Sequence, residues 1–284
     1  MTQLVLGADT LCWHARLEAG EIGLDGVLAE AREAGAAFVQ LNLHHARELD
    51  DGALADLARR AEGEGLRLLA SGDFLQGDAR ERVARWVHRA ALIGSPILRV
   101  ASGFYRADLA GRPDLIAAQA DHVVAVLGSS LDVAADAGVR LLLENHSDFT
   151  VAEYLEIVDR VGDIGVFLDM INPVSSLEDP SPVIERLAPL APAGHVKDYE
   201  LVSDFVGDGY HRRGWALRWR YPGEGVADLR RLLGVLLGAA GGEFLLSVEG
   251  LDNRAGVADQ VDRLQASLNA VQMLIPSEPC RSLR

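Results

Sequence analysis

A closed (β/α)8 barrel in a single domain, the TIM-barrel architecture, is the α/β fold class this sequence predicts, and three observations predict it. Short apolar or β-branched runs alternate with longer helical patterns along the chain, the signature of α/β architecture. Glycines recur where the helical patterns stop, at Gly35, Gly65, Gly94, Gly138 and Gly162, and each can supply the left-handed cap that turns a helix back into a strand. The phosphate-binding GxGxxG that an open dinucleotide-binding sheet carries after its first strand is missing. With 284 residues, 49% of them hydrophobic, the chain can bury one large core, and barrels of this kind use about 250 residues as one domain.

The elements follow in order. The first strand is expected at Leu4–Ala8, with a helix over Leu24–Ala34 that Gly35 stops. Phe38–Leu43 is the second strand, and its helix, Gly52–Glu64, closes at Gly65. Leu66–Ala70 leads to a helix over Ala79–Ile93, and Ile97–Ala101 to one long helical stretch, Leu115–Ala137. Val139–Glu144 is the fifth strand, followed by a helix over Val151–Val161; Gly165–Asp169 and Gly194–Lys197 are the sixth and seventh. A helix over Val226–Leu237 precedes the eighth, Phe244–Glu249.

Residues 199–225 are the longest non-periodic stretch and carry Phe205, Tyr210, His211, Arg212, Arg213, Trp215, Arg218 and Trp219. A loop that long is usually a functional lid or disordered, and disordered segments avoid aromatics, so an ordered lid over the site is expected. The barrel is expected to span residues 1–274, with 275–284 a loose tail containing two prolines.

A formal charge of −15 excludes a broad basic footprint for nucleic acid. No stretch approaches the roughly 18 apolar residues of a membrane span. Cys12 and Cys280 stand far apart in no CxxC spacing, which reads as two unpaired thiols in a reducing cytoplasm. The expected partner is a small molecule; a homo-oligomer is compatible with the sequence.

Four of the strands end in a residue able to hold a divalent ion: Glu144 after LLL, Asp169 after VFL, His195 in GHVKD and Glu249 after LLSV. The first three are 25 and 26 residues apart and the last gap is 54. A strand, loop and crossover helix consume roughly 30 residues, so all four side chains are expected at one mouth of the barrel, where active sites of this fold lie. A carboxylate ending an apolar strand costs several kcal/mol unless paired or metal-bound. Three carboxylates and an imidazole suit one hard or borderline ion, Mn²⁺ first, with Mg²⁺, Co²⁺ or Zn²⁺ as alternatives.

The same residues sit in the motifs LENH (143–146), LDMIN (168–172), HVKD (195–198), PGEG (222–225) and VEG (248–250). With them the chain resembles the xylose-isomerase-like TIM-barrel superfamily of sugar isomerases and epimerases, weakly in its first half and well from Leu141 to Glu249. The resemblance implies a metal on Glu144, Asp169, His195 and Glu249. As in relatives similar to ketose 3-epimerases, it also implies that Glu144 and Glu249 move protons on opposite faces of a sugar or sugar-acid substrate through an enediolate. There are departures: many relatives have His where this chain has Asn172, and Glu where it has Gln40. A narrower resemblance, through LDMINPVSSLEDP, LAPLAPAGHVKDYEL, WALRW and YPGEG, is to a sub-branch containing metal-dependent decarboxylases of oxo-sugar acids. It implies a lyase in which Lys197 and arginines recognise a carboxylate. A DNA-repair endonuclease on this barrel would need more histidines than the eight present and a basic face. A barrel that only binds would leave four costly buried ligands without a purpose.

His146, two residues beyond Glu144, and Lys197, two beyond His195, are further catalytic candidates. Asp198 is expected to position His195 or Lys197. Trp13, His44, Phe104, Asn172, Lys197 and Arg218 are the candidates for contacting substrate. His14 and His45 are near equivalents of Trp13 and His44, and His88 and His122 fall inside helical patterns.

Overall fold

The apolar runs and their glycine-capped helices resolve, in the computed structural model, into ten strands among the residues described, 2–204, 214–250 and 260–275. They are β1 (Gln3–Asp9), β2 (Phe38–Asn42), β3 (Arg67–Phe74), β4 (Ile97–Ala101), β5 (Arg140–Glu144), β6 (Gly165–Asp169), β7 (Ala193–Val196), β8 (Asp198–Asp204), β9 (Gly214–Arg220) and β10 (Glu243–Val248). Eight close into a parallel barrel in the order β1-β10-β7-β6-β5-β4-β3-β2, and β8 and β9 form a separate antiparallel pair. The predicted architecture is therefore the observed one. Gly138 shows how the return works: with φ at 67° it lets the Val139 N–H reach back to Ala134 O at 2.9 Å, and the chain enters β5.

Strand side chains alternate between the two faces of the sheet, and this period organises the barrel interior in layers. Phe38, Leu69, Ile97, Leu142, Phe167, Ala193 and Leu245, with Val5 packed against them, fill the lower interior as one apolar cluster. Two residues further along each strand the same inward face carries Gln40, Ser71, Arg99, Glu144, Asp169, His195 and Ser247, all buried polar side chains. Asp9, at the end of β1, and Glu249, just past β10, close the ring. The larger core lies outside the barrel, where the outward faces of the strands meet the helices. A barrel sealed below by hydrocarbon and lined above by charge can work only at its upper mouth.

Several elements differ from the sequence expectation. The stretch 115–137 is two helices, Pro113–Gly128 and Leu131–Asp136, because the Ser129 and Ser130 hydroxyls both turn back to Val126 O at 2.8 Å. Such side-chain bonds offer the backbone an alternative to continuing the helix. β3 runs on to Phe74 through a register shift after Ser71. Helices Pro180–Leu187 and Gln260–Leu274 complete the outer ring; the first opens at a proline after an Asp179 cap and was hidden by its two prolines, Pro180 and Pro182.

The long stretch between the seventh and eighth barrel strands is mainly the β8–β9 hairpin, with Tyr199 opposite Trp219 and Asp198 opposite Arg220. Residues 205–213, with Phe205, Tyr210, His211, Arg212 and Arg213, lie outside the described residues, as do Cys280 and the tail beyond Ile275. Asp198 does not position the histidine or the lysine as expected. Its carboxylate accepts backbone N–H groups of Tyr199, Gly223, Gly225 and Ala227 at 2.8–3.2 Å, pinning the PGEG loop to the hairpin. Any Cβ on Gly225 would lie 2.2 Å from Asp198 Oδ1, which explains that glycine.

Candidate metal centre

The strand ends bring Glu144, Asp169, His195 and Glu249 together inside the upper layer, each 5% exposed or less. Register sets this directly, since Asp169 on β6 pairs with His195 on β7, and His195 pairs with Ser247 on β10. Nδ1 of His195 stands 3.2 Å from Glu144 Oε1 and 3.7 Å from both Asp169 Oδ2 and Glu249 Oε1. Ligand atoms of Glu144, His195 and Glu249 all lie within 4.8 Å of one another.

The supporting contacts fix each group. His195 Nε2 faces Asp9 Oδ2 at 3.3 Å and the Gln40 amide at 2.9 Å, and Gln40 Oε1 accepts the Ser247 hydroxyl at 2.7 Å. A carboxylate behind a ligating imidazole orients the ring and raises its basicity. Gln40 serves here to hold His195. Asn145 clamps β6 by accepting the Asp169 N–H at 2.7 Å and donating to Asp169 O at 2.8 Å. Asp169 Oδ1 accepts the N–H groups of Ile171 and Asn172 at 2.8 and 2.7 Å, so its Oδ2 is the oxygen left to face the site.

Two cations share this layer. Arg99 pairs with Glu144, and Lys197 Nζ contacts Asp169 Oδ2 at 2.8 Å and also pairs with Glu249. Burial alone would raise Glu144, but Arg99 and then the bond from His195 hold it well below the usual carboxylate range. Burial would likewise raise Glu249, and Lys197 more than offsets this, so it stays ionised. At Asp169 burial wins over the attraction of Lys197, and the carboxyl is pushed up. Burial disfavours the Lys197 ammonium, yet Asp169 and Glu249 keep it charged beyond the ordinary lysine range. Burial also opposes charge on His195, but Glu249, Asp9 and Glu144 carry it to about 10.

These residues fit a divalent ion. Asp169 Oδ2 has its ion-pair partner Lys197 but no well-directed hydrogen bond, and Asp9 Oδ2 likewise has none. Buried oxygens of that kind are costly unless a cation takes them. Counted as ionised, the four carboxylates of this layer, Asp9, Glu144, Asp169 and Glu249, exceed its two fixed cations, Arg99 and Lys197, by two charges. That excess equals one divalent ion with His195 neutral. The oxygen and imidazole donors suit Mn²⁺, Zn²⁺ or Co²⁺.

Above the centre lies a cavity of about 560 Å³ lined by Arg99, Lys197 and Glu249 at its base, with His146 and Asn172 beside them and His14, His44 and His45 at the rim. Leu217 and Trp219 of β9 also line it, and the Lys197 ammonium sits 4.7 Å from the Trp219 ring centre. The hairpin thus reaches the cavity with an aromatic wall. His146 lies between Phe74 and Tyr105, and its Nδ1 has no partner. Asn172 donates to Asn145 O at 3.1 Å and reaches Glu144 Oε1 at 3.5 Å.

Three residues expected at the substrate lie elsewhere. Trp13 is fully buried in the core, its indole N–H donating to Glu30 at 2.7 Å, because the chain enters a short 3₁₀ turn immediately after β1. Phe104 packs edge-on against Phe149 at 5.0 Å, behind the cavity wall. Arg218 points along the outside of the hairpin to Glu200 at 3.0 Å, because alternation puts it on the face opposite Trp219. His88 pairs with Asp51 on the surface and His122 with Leu75 O, as ordinary packing residues do. Arg99 and Asp9 were not singled out from the sequence. Arg99 was detectable as the only charge in the strand ILRVA, and Asp9 as a further acid ending a strand.

A family model described as xylose isomerase-like TIM barrel matches residues 28–268. The chain belongs to that family. Among solved structures, D-psicose 3-epimerase with D-tagatose from Clostridium cellulolyticum H10 has a TM-score of 0.72 at 14% identity, covering 95% of this chain and 99% of that one. The IolI protein with a binding zinc atom gives 0.72 at 17% identity, covering 95% and 98%. The probable 3-DHS dehydratase AsbF of petrobactin synthesis from Bacillus anthracis gives 0.67 at 16%, covering 96% and 99%. At these identities they are likenesses of fold. No curated protein matches the sequence. Among the described residues no helix is long and apolar enough to cross a membrane.

Proposed function

We propose that this protein is a divalent-metal-dependent isomerase or epimerase that moves a proton next to the carbonyl of a small keto sugar, sugar acid or cyclitol through an enediolate. The observation that carries this reading is the convergence of Glu144, His195 and Glu249, with ligand atoms within 4.8 Å of one another, in the charged layer beneath the cavity. An ion held by Glu144, Asp169, His195 and Glu249 would supply polarisation of carbonyl and hydroxyl oxygens.

The remaining work falls to side chains. Glu249 is the better-placed base, since it lines the cavity and is kept ionised by Lys197. Glu144 is fully buried and held by Arg99 and His195, which suits a ligand more than a proton carrier. Lys197 stays protonated and lines the cavity, so it can donate a hydrogen bond to the oxygen that gains charge as the proton leaves. His146, which lines the same cavity with an unpartnered ring nitrogen, can serve as the second acid or base.

One specific observation favours a second reading, a lyase that decarboxylates an oxo-sugar acid: Arg99 and Lys197 both line the cavity and could meet a carboxylate. One experiment addresses both. The metal-replete protein is incubated in D₂O with a panel of keto sugars, cyclitols and oxo-sugar acids and followed by NMR. Deuterium entering at carbon next to a carbonyl supports proton transfer, and released CO₂ supports the lyase. Neither outcome across the panel, with the metal shown to be bound, would reject the enediolate chemistry.

A further inference from the structure

The loops after β1 and β2 assemble a second group of metal-ligand types on the rim of the same cavity. His14 and Glu18 occupy the two ends of one helical turn, residues 14–18, and so share a face. His45 comes across from the β2 loop, and its Nε2 lies 2.9 Å from His14 Nδ1. Ligand atoms of His14, Glu18 and His45 all fall within 4.8 Å of one another.

Two further features distinguish this group from a chance meeting of surface side chains. The His45 ring is pinned from behind, since its Nδ1 lies 2.8 Å from the buried Thr10 hydroxyl, which also accepts the Asn42 N–H at 3.0 Å. That is the outer support a ligating imidazole ordinarily has. The two facing nitrogens share a hydrogen bond at 2.9 Å, and a tetrahedral ion about 2.0–2.1 Å from each would hold them about 3.3 Å apart, so the rings need spread by only a few tenths of an ångström to take it in place of that bond. Glu18 also pairs with Arg47 at 3.0 Å and His44 at 3.3 Å, so ion binding must compete with Arg47, and His44 stands ready as a further donor.

We propose that His14, Glu18 and His45 form a second divalent-cation site, separate from the strand-end centre, suited to an ion of the Zn²⁺ class and open toward the cavity. His14 and His45 line the same cavity as Glu249 and Lys197. If the proposed function holds, the rim ion anchors an anionic end of the substrate remote from the reacting carbon. The cation site itself does not depend on that reading.

The test is stoichiometry on the full chain. Metal-stripped wild type, His14→Ala, Glu18→Gln and Glu144→Gln are dialysed against Zn²⁺ and analysed for metal, and Co²⁺ binding is followed by its visible absorption. Two ions are expected in wild type and one in His14→Ala, with Glu144→Gln retaining the rim ion and its Co²⁺ spectrum. Glu18→Gln, at a part-exposed position that leaves packing intact, should weaken the rim ion at least tenfold. If His14→Ala and Glu18→Gln both keep the wild-type stoichiometry and affinity, the site does not exist. A single wild-type ion that Glu144→Gln removes and His14→Ala spares also overturns it. A single ion lost in His14→Ala and kept in Glu144→Gln would leave the rim site standing while the strand-end centre fell.

Discussion

Replacing Glu249 by glutamine keeps the shape of the side chain and removes its charge, so it separates proton transfer from packing. In the structure one Glu249 oxygen takes Lys197 and the other stands 3.7 Å from His195 Nδ1, toward the proposed ion. Glutamine has one acceptor for these two tasks. Its NH₂ cannot face the Lys197 ammonium, donor against donor, so the amide oxygen turns to Lys197 and the NH₂ faces the ion's place. The variant should lose the base entirely and weaken the metal by at least the roughly 10–100-fold typical of disturbed metal surroundings. Once the ion is restored by excess metal, loss of a general base predicts a fall in kcat of about 10²–10⁴. That corresponds to about 2.7–5.4 kcal/mol in the barrier. KM should move less, because Arg99, Lys197 and Asn172 still line the cavity. The assay is initial rate on the substrate found in the D₂O screen, at saturating metal confirmed by analysis. Turnover near wild type in the metal-loaded variant would make Glu249 a ligand only and pass the proton role to His146 or Lys197.

Lys197→Met should destabilise the chelated protein by about 3–5 kcal/mol, because it leaves the Asp169 and Glu249 carboxyls buried without their shared cation; denaturant melts showing no loss would contradict the pairing. Added Zn²⁺ should recover part of that stability. In the metal-free protein His195 titrates at about 10, raised from 6.5, so its stabilisation is complete below pH 6.5 and is lost as pH rises toward 10. Because an ion must displace the Nδ1 proton, metal binding at pH 7 should release about one proton; binding heats identical in buffers of different ionisation enthalpy would refute this. Trp219→Ala removes the ring beside Lys197 and one wall of the cavity. Contacts of that type are worth about 0.5–2 kcal/mol, so KM should rise several-fold with kcat changed less, and an unchanged KM would place the hairpin outside the working site.

The barrel was legible because its physics repeats. Each strand is a short apolar run, and five helices stop at a glycine that the backbone needs at positive φ. The four strand-end ligands were legible because an acid or histidine closing such a run has few inexpensive fates. What escaped came from two sources. The hairpin was obscured because WALRW alternates over too few residues to separate from an irregular loop. Arg99 escaped because it sits inside a strand, where a single basic residue between Leu98 and Val100 gives no indication of the layer it faces. The layer rule supplies the missing signal. Once Ile97 is placed in the lower apolar cluster, Arg99 must enter the charged ring two residues above it. Trp13 and Phe104 failed for the opposite reason: a large aromatic after a strand end can fold back into the core as readily as it lines the mouth.

Charge balance in that ring bears on which chemistry the cavity serves. With one divalent ion and a neutral His195, the buried layer of Asp9, Arg99, Glu144, Asp169, Lys197 and Glu249 is neutral. A neutral keto sugar enters it without adding charge. An oxo-sugar acid brings a carboxylate that draws Arg99 from Glu144 or Lys197 from Asp169 and Glu249, and every such exchange leaves the layer with one buried negative charge in excess. Stranding a buried charge costs about 3–5 kcal/mol, unless a further cation is present. The rim group of His14, Glu18 and His45 is where that cation would be held. Neutral substrates should therefore bind the wild type and His14→Ala with similar affinity, whereas an acidic substrate should bind wild type only when the rim ion is present and lose at least tenfold in His14→Ala. Calorimetric affinities for one neutral and one acidic sugar, measured on both proteins, decide it: equal losses for the two sugars would show that rim charge plays no part in substrate choice.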